Sequence, residues 1–325
     1  MQIYKFNSIL MPVLWGGVKL LAFKGLPAQA EPIGESWELS AMPGRESVVT
    51  DGADRGLTLT QLVERYGADL VGEDVYRRYG TQFPLLIKLI DARRDLSIQV
   101  HPDDDMARRL HGCSGKNEMW YILDADEGAI IHTGFNRQLS LEEFDRRLAD
   151  GSILDVINAI PSRSGDTFYI PAGQIHTIGA GHLLAEIQQS CDVTYRVWDY
   201  NRRDANGNLR QLHVEQAREA LDFDARDGKV HDMPLIAPGM KRLVECPSFN
   251  VSLLEFKQGY RLEIPAPHSF IAMVCIDGET MVRADGMPPV NVCRGETALI
   301  PAIAGGVGLT GNARLMLATV PNSKG

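Results

Sequence analysis

Leu96-Ser97-Ile98-Gln99-Val100-His101-Pro102-Asp103-Asp104 is the stretch on which the reading of this chain turns. Leu96, Ile98 and Val100 are apolar, and Ser97, Gln99 and His101 alternate with them. A β-strand sends successive side chains to opposite faces, so Ser97, Gln99 and His101 share one. Pro102 has no N–H to give to a ladder and stops the strand. Alone, the run reads as a surface strand with a stray histidine at its end. Yet the polar row carries an imidazole and an amide, both ligand types, with a hydroxyl beside them, and the rest of the chain gives them company.

The chain has 325 residues and 44% hydrophobic content, enough for two domains or one large one around a sizeable core. Its net charge of -9 comes with no basic block, which disfavours nucleic acid or an anionic membrane held by bulk electrostatics. A small anionic substrate needs only a local cluster of Lys and Arg. The opening residues lack the basic start and apolar core of a signal peptide, and no apolar run nears a membrane span. Five cysteines, with no C-x-x-C pair, fit a reducing cytosol and give neither a disulfide framework nor a thiolate zinc site.

Residues 83–90 form an apolar run broken only by Lys88, the pattern of a fully buried strand, and a buried lysine needs a partner or a task. Further strands are expected at 2–8, 36–40, 118–123, 167–170, 183–189 and 194–198. The rest of the Gly- and Pro-rich segment 15–43 reads as irregular. Helices are expected at 58–70, 103–110, 140–148, where Ser140 and Glu143 have capping-box spacing, and 213–221. Residues 153–160 read as another helical turn or two. Beyond the acidic, Gly- and Pro-containing segment 222–239 the chain is mostly short β runs, at 252–256, 270–276, 297–300 and 315–320, which suggests a sandwich or barrel. Gly165-Asp166-Thr167-Phe168-Tyr169-Ile170-Pro171-Ala172 matches Gly295-Glu296-Thr297-Ala298-Leu299-Ile300-Pro301-Ala302 at an offset of 130. Two related β-barrels are expected. At that offset His176 falls on Gly306, so only the first keeps the histidine.

Four groups stand out: Gln99 and His101 on one strand face, Glu118 opening the apolar run Met119 to Leu123, and His176 after the turn Pro171-Ala172-Gly173. Two imidazoles, a carboxylate and an amide oxygen make a mixed N/O set for Zn²⁺ or another divalent metal. Read from the residues alone, histidines satisfied in a core or on a surface fit as well as ligands.

Taken together, several pieces resemble the type I mannose-6-phosphate isomerases, and the shorter bacterial branch most. They are the 96–104 run, Lys116-Asn117-Glu118, Pro171-Ala172-Gly173 followed by His176, Glu186-Ile187-Gln188-Gln189 and Thr194-Tyr195-Arg196-Val197. Trp15-Gly16-Gly17 and Gly34-Glu35-Ser36-Trp37-Glu38 extend the resemblance over most of the chain. It implies a mainly β fold: a cupin-type β-barrel (jelly roll) with a few short helices, plus a smaller C-terminal β domain. Taken with the boundary segment 222–239 and the repeat, the expectation is a catalytic metal-binding domain over 1–235 and a cupin-like domain without metal over 236–325, packing against the first and closing one side of the site. The resemblance also implies one Zn²⁺ held by Gln99, His101, Glu118 and His176, and interconversion of mannose 6-phosphate and fructose 6-phosphate through a cis-enediol(ate).

The same resemblance makes Arg196 the arginine that stabilises negative charge. Otherwise Arg196 reads as a solvated partner of Asp192 or Asp199. Glu186 is the candidate base, otherwise a barrel-surface carboxylate, with Lys116 or a metal-bound water as competitor. Lys88 and Ser97 are expected to hold the phosphate by charge and hydroxyl donation. The chain departs from the family in lacking room for a large helical insertion between Glu118 and His176. It also has Gly115 where some members have a histidine before the lysine. The rival readings are a non-catalytic sugar-binding cupin sensor and an iron oxygenase with two His and a carboxylate. The sensor reading is discriminated by whether Arg196, Glu186 and Lys116 sit with the ligands.

Overall fold

The strand His182–Gln189 is buried along its whole length, although it alternates Leu184, Glu186, Gln188 with Leu183, Ala185, Ile187. The computed structural model, which describes residues 1–203, 207–262 and 268–323, shows why. The strand lies inside a six-stranded antiparallel sheet ordered Thr167–Ile170, Glu118–Ala125, His182–Gln189, Leu85–Ala92, Ile9–Gly17, Ile33–Leu39. Both faces of this sheet are covered.

A five-stranded sheet lies opposite one face: Ile157–Pro161, Ile130–Phe135, His176–Ile178, Ile98–Val100, Tyr195–Trp198. Between the two, Trp15, Ile90, Trp120, Ile131, Phe168 and Ile178 form a core, so the pair closes as a barrel-like jelly roll. The far side of the five-stranded sheet is sealed by helices, with Ile98 and Val100 packed against Met106, Phe144 and Ala217. Alternation holds over the strand Ile98–Val100, whose Ile98 and Val100 enter the helix-facing core while the polar row faces the barrel interior; Leu96, expected beside them, lies before the strand and joins the interior core instead.

The other face of the six-stranded sheet meets the C-terminal unit. Leu85, Ile87, Leu89, Met119, Ala185 and Ile187 share one apolar cluster with Phe249, Val251, Phe270, Ala272, Val274 and Met316. This double burial makes 83–90 read as continuous apolar sequence. The C-terminal sheet is built on the long strands Asn250–Leu262, Ile271–Ala284 and Val307–Thr319 around its own core. Its edge is completed by the N-terminal strand Tyr4–Lys5, paired with Thr297–Ile300. The protein is mainly β and cupin-type, with a few short helices. No helix among the described residues is long and apolar enough to cross a membrane.

The two copies of the repeat fold alike. Gly165 N donates to Ile122 O while Ile122 N donates to Asp166 O; Gly295 N and Cys275 O, then Cys275 N and Glu296 O, repeat both bonds. Gly165 and Gly295 both have positive φ, which a side chain would strain.

Several expectations need correction. The strand expected at 2–8 is only Tyr4–Lys5; the segment expected to be irregular from 15 holds the end of the strand Ile9–Gly17 and the helix Lys19–Phe23; and the strand expected at 36–40 is Ile33–Leu39. The helix expected at 58–70 stops at Tyr66, where Gly67 at positive φ breaks it, and short helices Ala68–Val71 and Glu73–Tyr79 follow. Residues 153–160 hold one 3₁₀ turn, Ile153–Val156, then β-branched Ile157 opens a strand. Ser140 Oγ accepts from Glu143 N, but the Glu143 carboxylate turns to Arg137 and Arg147, so only half of the box forms.

Candidate active site and metal centre

Strand register brings the polar residues into two facing rows. In the five-stranded sheet Thr133, His176, Gln99 and Arg196 stand side by side across four strands. In the six-stranded sheet Trp37, Lys88, Glu186 and Trp120 do the same, with Glu118 opposite Gln188 one step along. Both rows point into the barrel.

His101, Glu118 and His176 meet at its buried end. The Glu118 oxygens lie 3.3 Å from His101 Nε2 and 3.3 Å from His176 Nε2. All three residues are essentially inaccessible, and neither carboxylate oxygen accepts a hydrogen bond. His101 Nδ1 donates to Val193 O at 3.0 Å and His176 Nδ1 to Gln174 O at 2.8 Å. A carbonyl can only accept, so both Nδ1 atoms carry the proton and both Nε2 atoms turn a lone pair inward. Burial lowers both imidazole pKa values, that of His101 to about 3, and keeps the rings neutral. Burial alone would raise the Glu118 carboxyl. The Lys116 ammonium, 3.0 Å from Glu118 and 3.1 Å from His101 Nε2, overrides it and holds that carboxyl well below its usual range. Three buried lone-pair donors thus converge within 4.8 Å, each histidine oriented by a backbone carbonyl, which is how metal-binding histidines are held. The donor set fits a divalent cation. Gln99 Nε2 faces His176 Nε2 at 3.2 Å. A half-turn of this amide, whose two ends are almost the same size, presents its oxygen instead.

In front of this cluster lies a cavity of about 290 Å³ lined by Lys88, Ser97, Gln99, Lys116, Glu186 and Arg196. Lys88 Nζ is buried, 3.5 Å from Glu186, 3.9 Å from Glu35 and 3.9 Å from Asp192, over the Trp37 ring. Burial works against its charge, but these carboxylates prevail and raise its pKa. Glu186 Oε1 accepts from Trp120 Nε1 at 3.0 Å. Burial first, and then the Glu118 charge, raise its carboxyl pKa, while Lys88 and Lys116 pull the other way. Arg196 donates from Nε to Ser97 Oγ at 3.3 Å and from Nη1 to Gln211 O at 2.9 Å. Burial and the Arg210 guanidinium lower its pKa. Asp192 lies instead by Lys88 and Arg45, and Asp199 pairs with Arg202 and Arg210.

Lys116, a loop lysine by its neighbours in sequence, is therefore buried against Glu118. A side chain on Gly115 would put its Cβ 2.6 Å from the backbone of Asp103 and Asp104, so no histidine fits before Lys116 unless that turn moves. Lys88 and Ser97 line the same cavity, the lysine among three carboxylates and the serine beside Arg196. Trp15, Glu35 and Arg210 also line the cavity. In the sequence, resemblance alone marks the stretches holding Trp15 and Glu35, and no periodic signal marks Arg210. No described residue beyond Arg210 lines it. The C-terminal unit therefore does not close one side of the site. It packs behind the sheet and touches the Asn117 turn through Asn117 Nδ2 and Ser248 Oγ at 3.1 Å.

Fold and site define a cupin-type protein with a buried metal-capable His/Glu/His centre beneath a charged cavity. A family model, phosphomannose isomerase type I, catalytic domain, matches residues 3–138. The chain is 34% identical over 290 residues to a mannose-6-phosphate isomerase of Streptococcus mutans, covering 89% of each. It is 33% identical to mannose-6-phosphate isomerase ManA of Bacillus subtilis, over 96% of this chain and 97% of the other. The crystal structure of a Bacillus subtilis mannose 6-phosphate isomerase superposes with a TM-score of 0.88 at 30% identity, covering 98% of this chain and 99% of that one. The chain belongs to the type I phosphomannose isomerase family.

Proposed function

We infer that the protein is a metal-dependent aldose–ketose isomerase that interconverts mannose 6-phosphate and fructose 6-phosphate. The observation that carries this reading is the single cavity shared by Glu186, Lys116 and Arg196, directly in front of the His/Glu/His cluster. A sugar sensor has no use for a buried carboxylate of raised pKa beside such a centre. We propose zinc, one per chain, with Gln99, His101, Glu118 and His176 as ligands, and a chain that works in the cytosol without nucleic-acid or membrane partners. The metal is assigned to residues 1–235, and 236–325 are proposed to hold none.

The cation supplies Lewis-acid stabilisation of the oxygen charge that develops in the reaction. Glu186 removes the proton from one carbon and returns it to the next, and its raised pKa suits a base that must also act as an acid. Arg196 faces the developing enediolate with a fixed guanidinium. Lys116 holds Glu118 ionised and stands next in line for the proton. A phosphate dianion at Lys88 would meet Glu35, Glu186 and Asp192. We therefore give the phosphate to Ser97 at the Arg196 and Arg210 end of the cavity, and Lys88 binds sugar oxygens and steadies Glu186.

The experiment is direct: purified protein with mannose 6-phosphate, with and without a chelator, read as fructose 6-phosphate formed. Formation that the chelator abolishes and added zinc restores is expected; no product from metal-replete protein would sink the reading. Lys88 and Lys116 lower the Glu186 pKa, and Glu118 and Glu35 raise it. Lys88→Ala should therefore raise it further, and the acid limb of kcat/KM should move to higher pH. An unmoved limb with only a higher KM would return Lys88 to the phosphate.

A further inference from the structure

Two of the five cysteines touch, and they do so on the two loops that carry the site. Cys113 Sγ and Cys191 Sγ lie 3.6 Å apart although 78 residues separate them in sequence. The other thiols bond to oxygen: Cys246 to Phe249 O, Cys275 to Asp277 O, Cys293 to Glu279. Cys113 is partly exposed and lines a second cavity of about 620 Å³, whereas Cys191 is fully buried behind it. Asp192 forms part of the wall of both this cavity and the catalytic one.

The loops are pinned together in a way that leaves the sulfurs facing each other. Ser114 Oγ donates to Ser190 O, Asn117 N to Gln189 Oε1, and Gln189 Nε2 and Gly115 N both donate to Asp104 Oδ1. Three residues after Cys113 comes Lys116, against Glu118. Two residues after Cys191 comes Val193, whose carbonyl accepts the His101 Nδ1 proton, with Asp192 between them beside Lys88.

We propose that Cys113 and Cys191 form a hydroperoxide-responsive dithiol, which closes to a disulfide and thereby slows the enzyme. The Cys113 thiolate attacks one oxygen of the peroxide and the O–O bond breaks, leaving Cys113 as a sulfenic acid and releasing hydroxide. The Cys191 sulfur then attacks the Cys113 sulfur, its proton leaves with the displaced hydroxide as water, and the S–S bond forms. Two thiols are oxidised, and one hydrogen peroxide is reduced to two waters. The order follows from access: Cys113 meets the solvent cavity, and burial, which also pushes the Cys191 thiol up to about 12, keeps Cys191 for the second step. A disulfide needs an S–S distance of about 2.05 Å, so the sulfurs must close by roughly 1.5 Å. Whatever part of that closure the two side chains do not take up by rotation falls on the segments holding Val193, Asp192 and Lys116, and that part must be enough to disturb the site. In a reducing compartment the bridge is transient, as for other redox-sensing pairs.

The test uses full-length, metal-loaded protein and hydrogen peroxide. Peptide mapping without reductant should find Cys113 joined to Cys191 with the loss of two hydrogens, a readout independent of the proposed activity. Isomerase turnover, which does rest on that activity, should fall about tenfold or more, since ångström-scale misplacement of catalytic groups is that costly. Dithiothreitol should restore it. Cys113→Ser should keep basal turnover, form no bridge and resist peroxide. Cys191→Ala should stop at a Cys113 sulfenic acid that dimedone captures. The proposal is overturned if peroxide drives Cys113 of the unaltered protein to sulfinic acid while Cys191 stays a free thiol. It is equally overturned if the bridge forms with turnover unchanged, or if Cys113→Ser is inactivated as fast as the unaltered protein.

Discussion

His176→Ala, and separately His101→Ala, should give folded protein that holds no metal and turns over no substrate. Each histidine supplies one inward lone pair to a cluster of three, so an open site of this kind has no spare donor. Even loss of a residue that merely supports a ligand lowers metal affinity by about 10–100-fold, and loss of a ligand should exceed that. Folding should survive because Lys116, 3.0 Å from Glu118, keeps a cation beside the buried carboxylate. The measurement is metal per chain by elemental analysis, with circular dichroism as the control. Full occupancy in either variant would remove that histidine from the ligand set.

Arg196→Ala should lower kcat by two to three orders of magnitude with a smaller rise in KM, the signature of a group that acts in the transition state. A preorganised charge at a developing oxyanion contributes roughly 3–4 kcal/mol. Arg196 is held for this by strand pairing opposite Gln99 and by its bonds to Ser97 and Gln211. Arg196→Lys should recover little, since an ammonium cannot reproduce the planar fork that makes both bonds. Ser97→Ala is the contrast: phosphate is held in ground and transition states alike, so KM should rise, and kcat should fall only as far as Arg196 loosens on losing one of its two bonds. Near-normal kcat in Arg196→Ala, or the same KM-only effect in both, would make Arg196 a binding residue.

How far the sequence could be read depended on how local the cause was. The Ser97, Gln99, His101 row was legible because a period of two is a property of one strand, and Lys88 because a charge in an apolar run stands out. The depth of Lys116 was not legible: a Gly-Lys-Asn turn looks the same whether it faces water or Glu118. The strand Ile9–Gly17 was hidden by Pro12 and by its paired glycines. Their purpose is tertiary, since a Cβ on Gly16 would lie 2.6 Å from Gly34 N. Glu35 and Arg210 reach the cavity from segments far apart in the chain, and no spacing rule links them to the site. The repeat was legible as an eight-residue segment with five identities, but only the paired hydrogen bonds around Gly165 and Gly295 show that the two copies make one structural unit twice.

The sheet with two buried faces has a consequence for how this gene can be divided. Leu85, Ile87, Leu89, Met119 and Ile187 look away from the cavity, and they share a cluster with both the C-terminal unit and Leu59, Leu62, Val63 and Leu70. At about 2 kcal/mol for each such side chain, exposing all five fully would cost on the order of 10 kcal/mol, as much as the whole stability of an ordinary domain, and losing the C-terminal share of the cover costs part of that. Ile87, Leu89 and Ile187 alternate along their strands with Lys88 and Glu186, which line the cavity. The same turn, around Gly165 and around Gly295, occurs once on each side of this seam. The C-terminal unit is part of the mould against which the other sets, so the two are expected to be expressed and exchanged together.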